Sequence, residues 1–466
     1  MKLFKSKDFI EEYSATVVKI DNLTPIENSD FLATTVIAGY DIVIRKDEFK
    51  PGDVVIYCPI ETKINRDFLS INNMYSNSEL NIDNTKKGYF NSNSRIRIIK
   101  LRGKPSMGMI FKAEDLKAWL PKIDISNIDN YIGTSFDMVD GNLLISVYMP
   151  PTKADNTEHK NWRNKKLKKF NKIIPGTFFF HYDTAPLNRN IDKINPTDVI
   201  TITEKLDGTS FILADILTRK KLAWYEKLTN FLHITKHSTT EYGLIYSSRN
   251  VIKNQYINKE CGTGYYSTDI WKDIAEKFGK YIDKNITVYG ECVGYEPGTN
   301  KLIQKKGNKL YTYGCKPGQY KIMPYRITKL DSDGKVIEYD VEDVIKWTND
   351  LIQFLHNGSD EEGKLAEWII PMKLFYHGIA KELYPELDIT NHWNENVLEK
   401  LKADKDFLME QDEPSCPKGV PAEGIVIRID ADKIKEAFKL KCLRYLNAEA
   451  KDVDAGIIDS ESKQAY

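Results

Sequence analysis

The polar run over residues 150–175 constrains the fold more than any other feature, because the residue pattern changes across it. Before it, over residues 13–116, short stretches rich in β-branched residues alternate with turn residues, the pattern of an all-β segment. Residues 14–20 and 32–45 read as strands, with Gly39 where a hairpin would turn. Residues 54–58 and 95–101 read as further short strands, with Pro51-Gly52 turning into the first and an Asn/Ser-rich loop over 72–94 between them. Several short strands of this size predict an OB-like barrel. After the run, strands and helices alternate irregularly, as in an α+β domain. Val344, Trp347, Leu351 and Leu355 share one helical face, and residues 396–409 predict a second helix carrying Val397, Leu398, Leu401 and Phe407. At 466 residues the chain is too long for one ordinary domain. The expected division is an OB-like domain over 1–150, a basic linker over 151–175 and an α+β domain over 176–466 with a helical insertion at 340–416.

Charge does not single out a partner. Lys+Arg and Asp+Glu both number 67, so a protein of this composition that handles nucleic acid must gather its positive charge locally. Seven basic residues between Lys160 and Lys172, interleaved with Trp162 and Phe170, fit either a strip that follows a phosphate backbone or a solvated linker. The six cysteines are scattered, without a CxxC pair or a His at finger spacing, so reduced thiols are expected and a structural zinc is not. No stretch approaches eighteen apolar residues and the N-terminus has no apolar targeting core. A cytoplasmic monomer is the expectation, with no membrane association.

Five segments carry chemistry. The first is a β-like run through Glu204, Lys205, Leu206, Asp207 and Gly208, in which a strand delivers a lysine and then breaks. Gly208 would let backbone pass close to a bound nucleotide. Arg249 ends the second segment, Ser247-Ser248-Arg249-Asn250. The third is a strand with one embedded carboxylate, Glu291, between Gly290 and Gly294, and the fourth opens on Glu423 before Gly424-Ile425-Val426-Ile427-Arg428. In the fifth, Lys439 and Lys441 stand two apart in a strand and therefore on one face.

In this order the segments resemble motifs I, Ia, III, IV and V of the covalent nucleotidyltransferases, the superfamily of DNA ligases, RNA ligases and messenger-RNA capping enzymes, and Tyr325-Arg326-Ile327 falls where that family has motif IIIa. The residues around Lys205 are similar to the RNA-ligase form of motif I. Residues 95–103 and 106–110 resemble the branch of RNA ligases with an N-terminal OB domain, known from a Deinococcus enzyme. The resemblance implies an α+β nucleotidyltransferase (adenylyltransferase) domain of antiparallel sheets and inserted helices, preceded by the all-β OB-like barrel. It implies an ATP-dependent RNA ligase, with ATP as AMP donor and Mg2+ or Mn2+ as cofactor. Its expected partner is RNA with 3′-hydroxyl and 5′-phosphate ends, including nicked duplexes, in a repair role.

By the same resemblance Lys205 is the nucleophile that becomes adenylylated, while Lys439 and Lys441 stabilise charge on the α-phosphate and its leaving group. Glu291 would hold the ribose, Arg249 the sugar or a phosphate, and Tyr325 would stack on the purine. Glu204, Asp207 and Gly208 belong to the ATP-binding loop, and Glu423 to the metal. His181, Tyr182 and Asp183, just upstream, receive no catalytic assignment. DNA ligases and capping guanylyltransferases resemble one another in a further OB domain after motif V; only residues 443–466 follow it here, which disfavours both. A nucleic-acid-binding protein without catalysis is the alternative of a different class.

The chemistry adds a requirement. Lysine attacks only as the neutral amine, which at pH 7 is about one molecule in two thousand for a free side chain of pKa near 10.4. Glu204 has the wrong sign to help, and strand alternation carries it to the opposite face. Lys439, Lys441 and a divalent cation are therefore the expected activators.

Overall fold

The computed structural model describes residues 1–27, 29–148, 170–180, 182, 184–256, 266–430 and 436–454. The expected basic linker lies outside the described residues except for 170–175, as do His181, Asp183 and Cys261. The chain forms two compact units, one of Met1–Pro151 with Ala185–Lys193 and Asn394–Leu398, the other of Thr152–Thr184, Ile194–Trp393 and Glu399–Tyr466.

In the first unit an antiparallel sheet runs in the order Gly108–Lys112, Val54–Pro59, Ala15–Lys19, Ser135–Phe136. Ala15 and Val17 alternate inward, and with Ile56, Cys58, Phe68, Phe111 and Phe136 they form its core. A second sheet joins Thr24–Pro25, Leu32–Ile37 and Tyr40–Arg45. The hairpin turn at Ala38 and Gly39 has φ of 49° and 72°, two successive left-handed residues whose twist matches the flanking strands. The strand expected over 95–101 is shorter, only Ile99–Leu101. Arg95 instead makes an isolated bridge with Lys63, flanked by backbone bonds of Ile96 with Glu61 and Thr62, and buries its guanidinium on Glu61 at 2.6 Å. Among the described residues the strands register as separate small sheets, not as one closed barrel.

The second unit is built on two antiparallel sheets. One contains, in spatial order, Glu436–Lys441 (β4), Gly424–Ile429 (β3), Val199–Lys205 (β1) and Leu374–Ile379 (β2). The other runs Thr240–Ser247, Thr209–Arg219, Ile286–Gly294, Tyr320–Leu330, Val336–Glu338. The only chain between β1 and the strand Thr209–Arg219 is Leu206-Asp207-Gly208, so the lysine motif is itself the crossover from one sheet to the other. The helix expected at 344–355 is present as Val341–His356, with Val344, Leu351 and Leu355 buried. The one expected over 396–409 spans Trp393–Ala403 and stops where Asp404 turns extended. Of the described cysteines Cys58, Cys292, Cys315 and Cys442 are buried free thiols and Cys416 is a half-buried one. No described helix is long and apolar enough to cross a membrane.

Candidate active site

Strand register builds the floor of a pocket in the second unit. Lys205 pairs with Gly424, and Gly424 with Lys441 on its other side. The next row inward on that face is Thr203, Val426 and Lys439, and the next Thr201, Arg428 and Ala437. Because side chains alternate across a strand, these rows present one surface, and except for Gly424 all of these residues line the pocket. Gly424 has φ of 147°, and a Cβ there would collide with the carbonyl oxygen of Leu440. Only glycine fits between the two lysines.

The opposite wall comes from the second sheet. Glu291, on a strand buried along its whole length, pairs with Ser210 on one side and Met323 on the other, and Ser210 Oγ donates to its Oε2 at 3.3 Å. The ladder slips between Tyr289 and Gly290, which face Arg326 and Pro324, making Tyr325 the extra residue of a β-bulge. A bulge re-aims side chains, and Tyr325 and Arg326, adjacent in sequence, both line the pocket. Arg326 bonds Glu338 through two nitrogens at 3.0 and 3.2 Å and packs on the rings of Tyr182 and Tyr289. Arg249 also lines the pocket, and so does Glu204 of β1, which alternation alone would have carried to the face opposite Lys205.

The charges at the mouth of the crossover are tightly arranged. Lys205 Nζ lies 2.8 Å from Glu423 Oε1, and Lys441 Nζ lies 3.6 Å from the same oxygen. The closest charged partner of Lys205 is thus a carboxylate, where the sequence led us to expect cations; Lys441 is close by, but across that carboxylate. Glu423 is 3% exposed, and its Oε2 has no hydrogen-bond partner among the described residues. A buried anionic oxygen left over in this way is suited to a hard cation. Among the described residues no group of three or more His, Cys, Asp and Glu side chains is arranged to enclose a metal. The donor set therefore fits Mg2+ or Mn2+ held by one carboxylate with phosphate oxygens and waters, and not a protein-only cage.

Asp207 and Gly208 sit behind the pocket surface. Asp207 N–H donates to Tyr313 Oη at 2.8 Å, and Gly208 O accepts from Gln304 Nε2 at 2.7 Å. The reason for the glycine differs from the one expected: a Cβ on Gly208 would collide with Cys292 O and press on Glu291 Cγ, so the close approach is to the neighbouring strand. Glu204 meets Glu413 and Lys373. Burial first, then the charge of Glu413, pushes its carboxyl up to about 7.

All ten residues singled out from the sequence thus belong to this one locality. Lys205, Glu204, Arg249, Glu291, Tyr325, Lys439 and Lys441 line the pocket, Glu423 contacts Lys205, and Asp207 and Gly208 form the crossover beneath. Sequence reasoning missed Thr201, Thr203 and Arg428, which strand alternation from Lys205 and Val426 would have found. Arg326 and Tyr182 were in view, the one beside Tyr325 and the other just upstream of Lys205, but received no role, and both line the pocket.

Comparison with known proteins agrees with this architecture. Residues 14–113 match a family described as an OB-fold domain. No curated protein matches. Solved structures of Naegleria gruberi RNA ligase are similar over nearly the whole chain. A mutant form with ATP and Mn has TM-score 0.52 and 17% identity, covering 93% of this chain and 98% of that one. Another, with AMP and Mn, has the same values. The form with PPi has TM-score 0.50 and 16% identity, covering 95% and 100%. This protein therefore has an N-terminal OB-fold domain followed by an RNA-ligase-like nucleotidyltransferase fold of mixed helices and antiparallel sheets.

Proposed function

We propose that this protein is an ATP-dependent RNA ligase of the branch with an N-terminal OB domain, the Deinococcus type, joining 3′-hydroxyl and 5′-phosphate RNA ends in repair. The observation that carries the reading is the row Lys205, Gly424, Lys441 with Glu423 at 2.8 Å from Lys205. A lysine, two further lysines on the same face and one buried carboxylate are what transfer of AMP to an amine demands. The likeness to RNA ligase structures containing ATP, AMP, Mn and PPi supports it.

In the first step the neutral Lys205 Nζ attacks the α-phosphorus of ATP. An N–P bond forms, the bond from the α-phosphorus to the bridging oxygen breaks, pyrophosphate leaves, and the amine proton passes to water. Lys439 and Lys441 stabilise the negative charge growing on the phosphate oxygens and leaving group. Glu291 holds the ribose, Arg249 the sugar or a phosphate, and Tyr325, which lines the same pocket, stacks on the purine. Glu423 would hold a divalent cation, which would supply charge neutralisation at the phosphates. Releasing Lys205 from Glu423 is part of activation, since an ion-paired ammonium carries no lone pair to attack with. AMP then passes from Lys205 to a 5′-phosphate, and a 3′-hydroxyl displaces it to close the phosphodiester.

Incubation with ATP labelled at the α-phosphate tests the reading. A covalent adduct that maps to Lys205 and disappears in Lys205→Ala is expected. No adduct with either Mg2+ or Mn2+ sinks the proposal in favour of a non-catalytic nucleic-acid binder; an adduct with GTP instead favours capping chemistry. Nicked duplexes with RNA or DNA at the 3′-hydroxyl side separate RNA from DNA sealing.

A further inference from the structure

Two side chains that no motif marked complete the charge arrangement around Lys205. Lys306, on the short strand Lys305–Lys306, is buried, with Nζ 3.8 Å from Asp207 Oδ2 and 3.9 Å from Glu449 Oε1. Glu449 lies on the helix Leu443–Asp454 and accepts from Lys441 Nζ at 3.2 and 3.4 Å on its two oxygens. Lys441 in turn is 3.6 Å from Glu423, and Glu423 is 2.8 Å from Lys205. The series Asp207, Lys306, Glu449, Lys441, Glu423, Lys205 alternates in sign at every step, and its two ends are separated by one residue of chain. No side chain in it is more than a fifth exposed. Charges so far from water persist only when each is compensated, and three carboxylates against three ammoniums achieve that.

The helix is fastened at the same place by further contacts. Asp452 accepts the N–H of Gly307 at 2.7 Å. The Tyr445 ring lies 4.9 Å from Lys441 Nζ and 5.4 Å from Lys306 Nζ, and meets Tyr311 edge-on with centroids 6.0 Å apart. The segment after the Lys439 and Lys441 strand is therefore built into the charged site.

We propose that Glu449 and Lys306 are positioning residues for the lysine adenylylation step, holding Lys441 between the helix and the pocket floor. Lys441 divides its ammonium between Glu449 and Glu423 and is held slightly closer to Glu449. Without Glu449 it closes on Glu423, competes with Lys205 for Oε1 and turns away from phosphate. With Glu449 present, Lys441 can move to an anionic phosphate, because Lys306 remains to compensate the carboxylate it leaves. Lys306 does the same for Asp207 at the base of the crossover. This role rests on the ligase reading, and the experiment separates the two.

Single-turnover formation of the labelled adduct is measured for the unaltered protein, Glu449→Gln, Glu449→Asp, Lys306→Met and Lys306→Arg, with melting temperatures alongside. Glu449→Gln is expected to slow adduct formation at saturating ATP about tenfold or more, with half-saturating ATP changed less than about threefold. Glu449→Asp, which keeps the charge with shorter reach, recovers part of the rate, and Lys306→Arg recovers more than Lys306→Met. Rates that are unchanged in Glu449→Gln, or that fall only in step with melting temperature with Asp no better than Gln, overturn the positioning role. If Glu449→Gln does not fold, a full rate in Glu449→Asp and Lys306→Met overturns it equally. No adduct from the unaltered protein overturns the ligase reading itself, and the positioning role with it.

Discussion

Lys205 Nζ and Glu423 Oε1 form a 2.8 Å ion pair in which the carboxylate is almost fully buried. Under the proposed function this pair must open before Lys205 can attack ATP. Glu423→Gln removes the pairing and the oxygen suited to a cation together. It is expected to lower adduct formation by about a hundredfold or more, the scale on which charged groups at transferring phosphates act. A rate within threefold of the unaltered protein, measured with labelled ATP across a metal titration, would falsify the assignment of Glu423 to the metal.

Tyr325 reaches the pocket through a β-bulge, and the proposed function assigns it to stacking on the purine. Tyr325→Ala should raise the ATP concentration for half-maximal adduct formation about tenfold, the value of one aromatic stacking contact. Tyr325→Phe should leave it within about twofold. Equal losses in both variants would mean that the hydroxyl, not the ring, is the working part.

Gly424 stands between Lys205 and Lys441 with no space for a side chain. Gly424→Ala must push β3 and β4 apart as well as strain the backbone, at a cost of about 2–4 kcal/mol. Denaturant unfolding reads the loss, and adduct formation should fall with it because the two lysines separate. An alanine variant of unaltered stability contradicts the strand register described above.

Glu204 gives a pH signature. Its folded-state pKa, about 7, is above the ordinary value of 4.5, so the folded protein binds more protons than the unfolded chain between these values. The stability this group contributes is complete below pH 4.5 and is lost as pH rises through 7. Glu204→Gln, which stays neutral, is therefore expected to be more stable than the unaltered protein at pH 8, by about 1–2 kcal/mol, and little different at pH 4.5. Melting curves at the two pH values check this; the opposite ordering refutes the Glu204 and Glu413 contact as its cause.

Arg326 is buried, bonded to Glu338 by two nitrogens and packed on Tyr289. Arg326→Met leaves Glu338 without its partner and should cost about 2–4 kcal/mol of stability. Lysine cannot reproduce the two-point bond, so Arg326→Lys should recover less than half of that loss in thermal unfolding.

What the sequence made legible was whatever depends on neighbours in the chain. The Gly39 hairpin, the buried face of Val344, Leu351 and Leu355, and the shared face of Lys439 and Lys441 follow from periods of two and 3.6. What it hid depends on register between distant strands. Alternation alone would set Tyr325 and Arg326 on opposite faces, and only the slipped ladder brings both to the pocket. The seven charges at Lys205, Glu204, Arg249, Glu291, Glu423, Lys439 and Lys441 were visible as types, but not the pairing of Lys205 with Glu423. Lys306 lies in a polar stretch, Gln304-Lys305-Lys306-Gly307-Asn308-Lys309, where nothing distinguishes it from its neighbours. The run 95–101 predicts one strand, of which Ile99–Leu101 forms, while Arg95 takes an isolated bridge to Lys63 and a buried ion pair with Glu61 that no local pattern announces.

Only Leu206, Asp207 and Gly208 lie between β1 of one sheet and the strand Thr209–Arg219 of the other, so this crossover contains no slack. One extra residue there would turn Lys205 away from Lys441 or draw Ser210 out of line with Glu291, and one fewer could not bridge the gap. With Lys205 registered on Gly424 at one end and Ser210 on Glu291 at the other, this span has a fixed count and serves the protein as a ruler that sets the distance from Lys205 to Glu291.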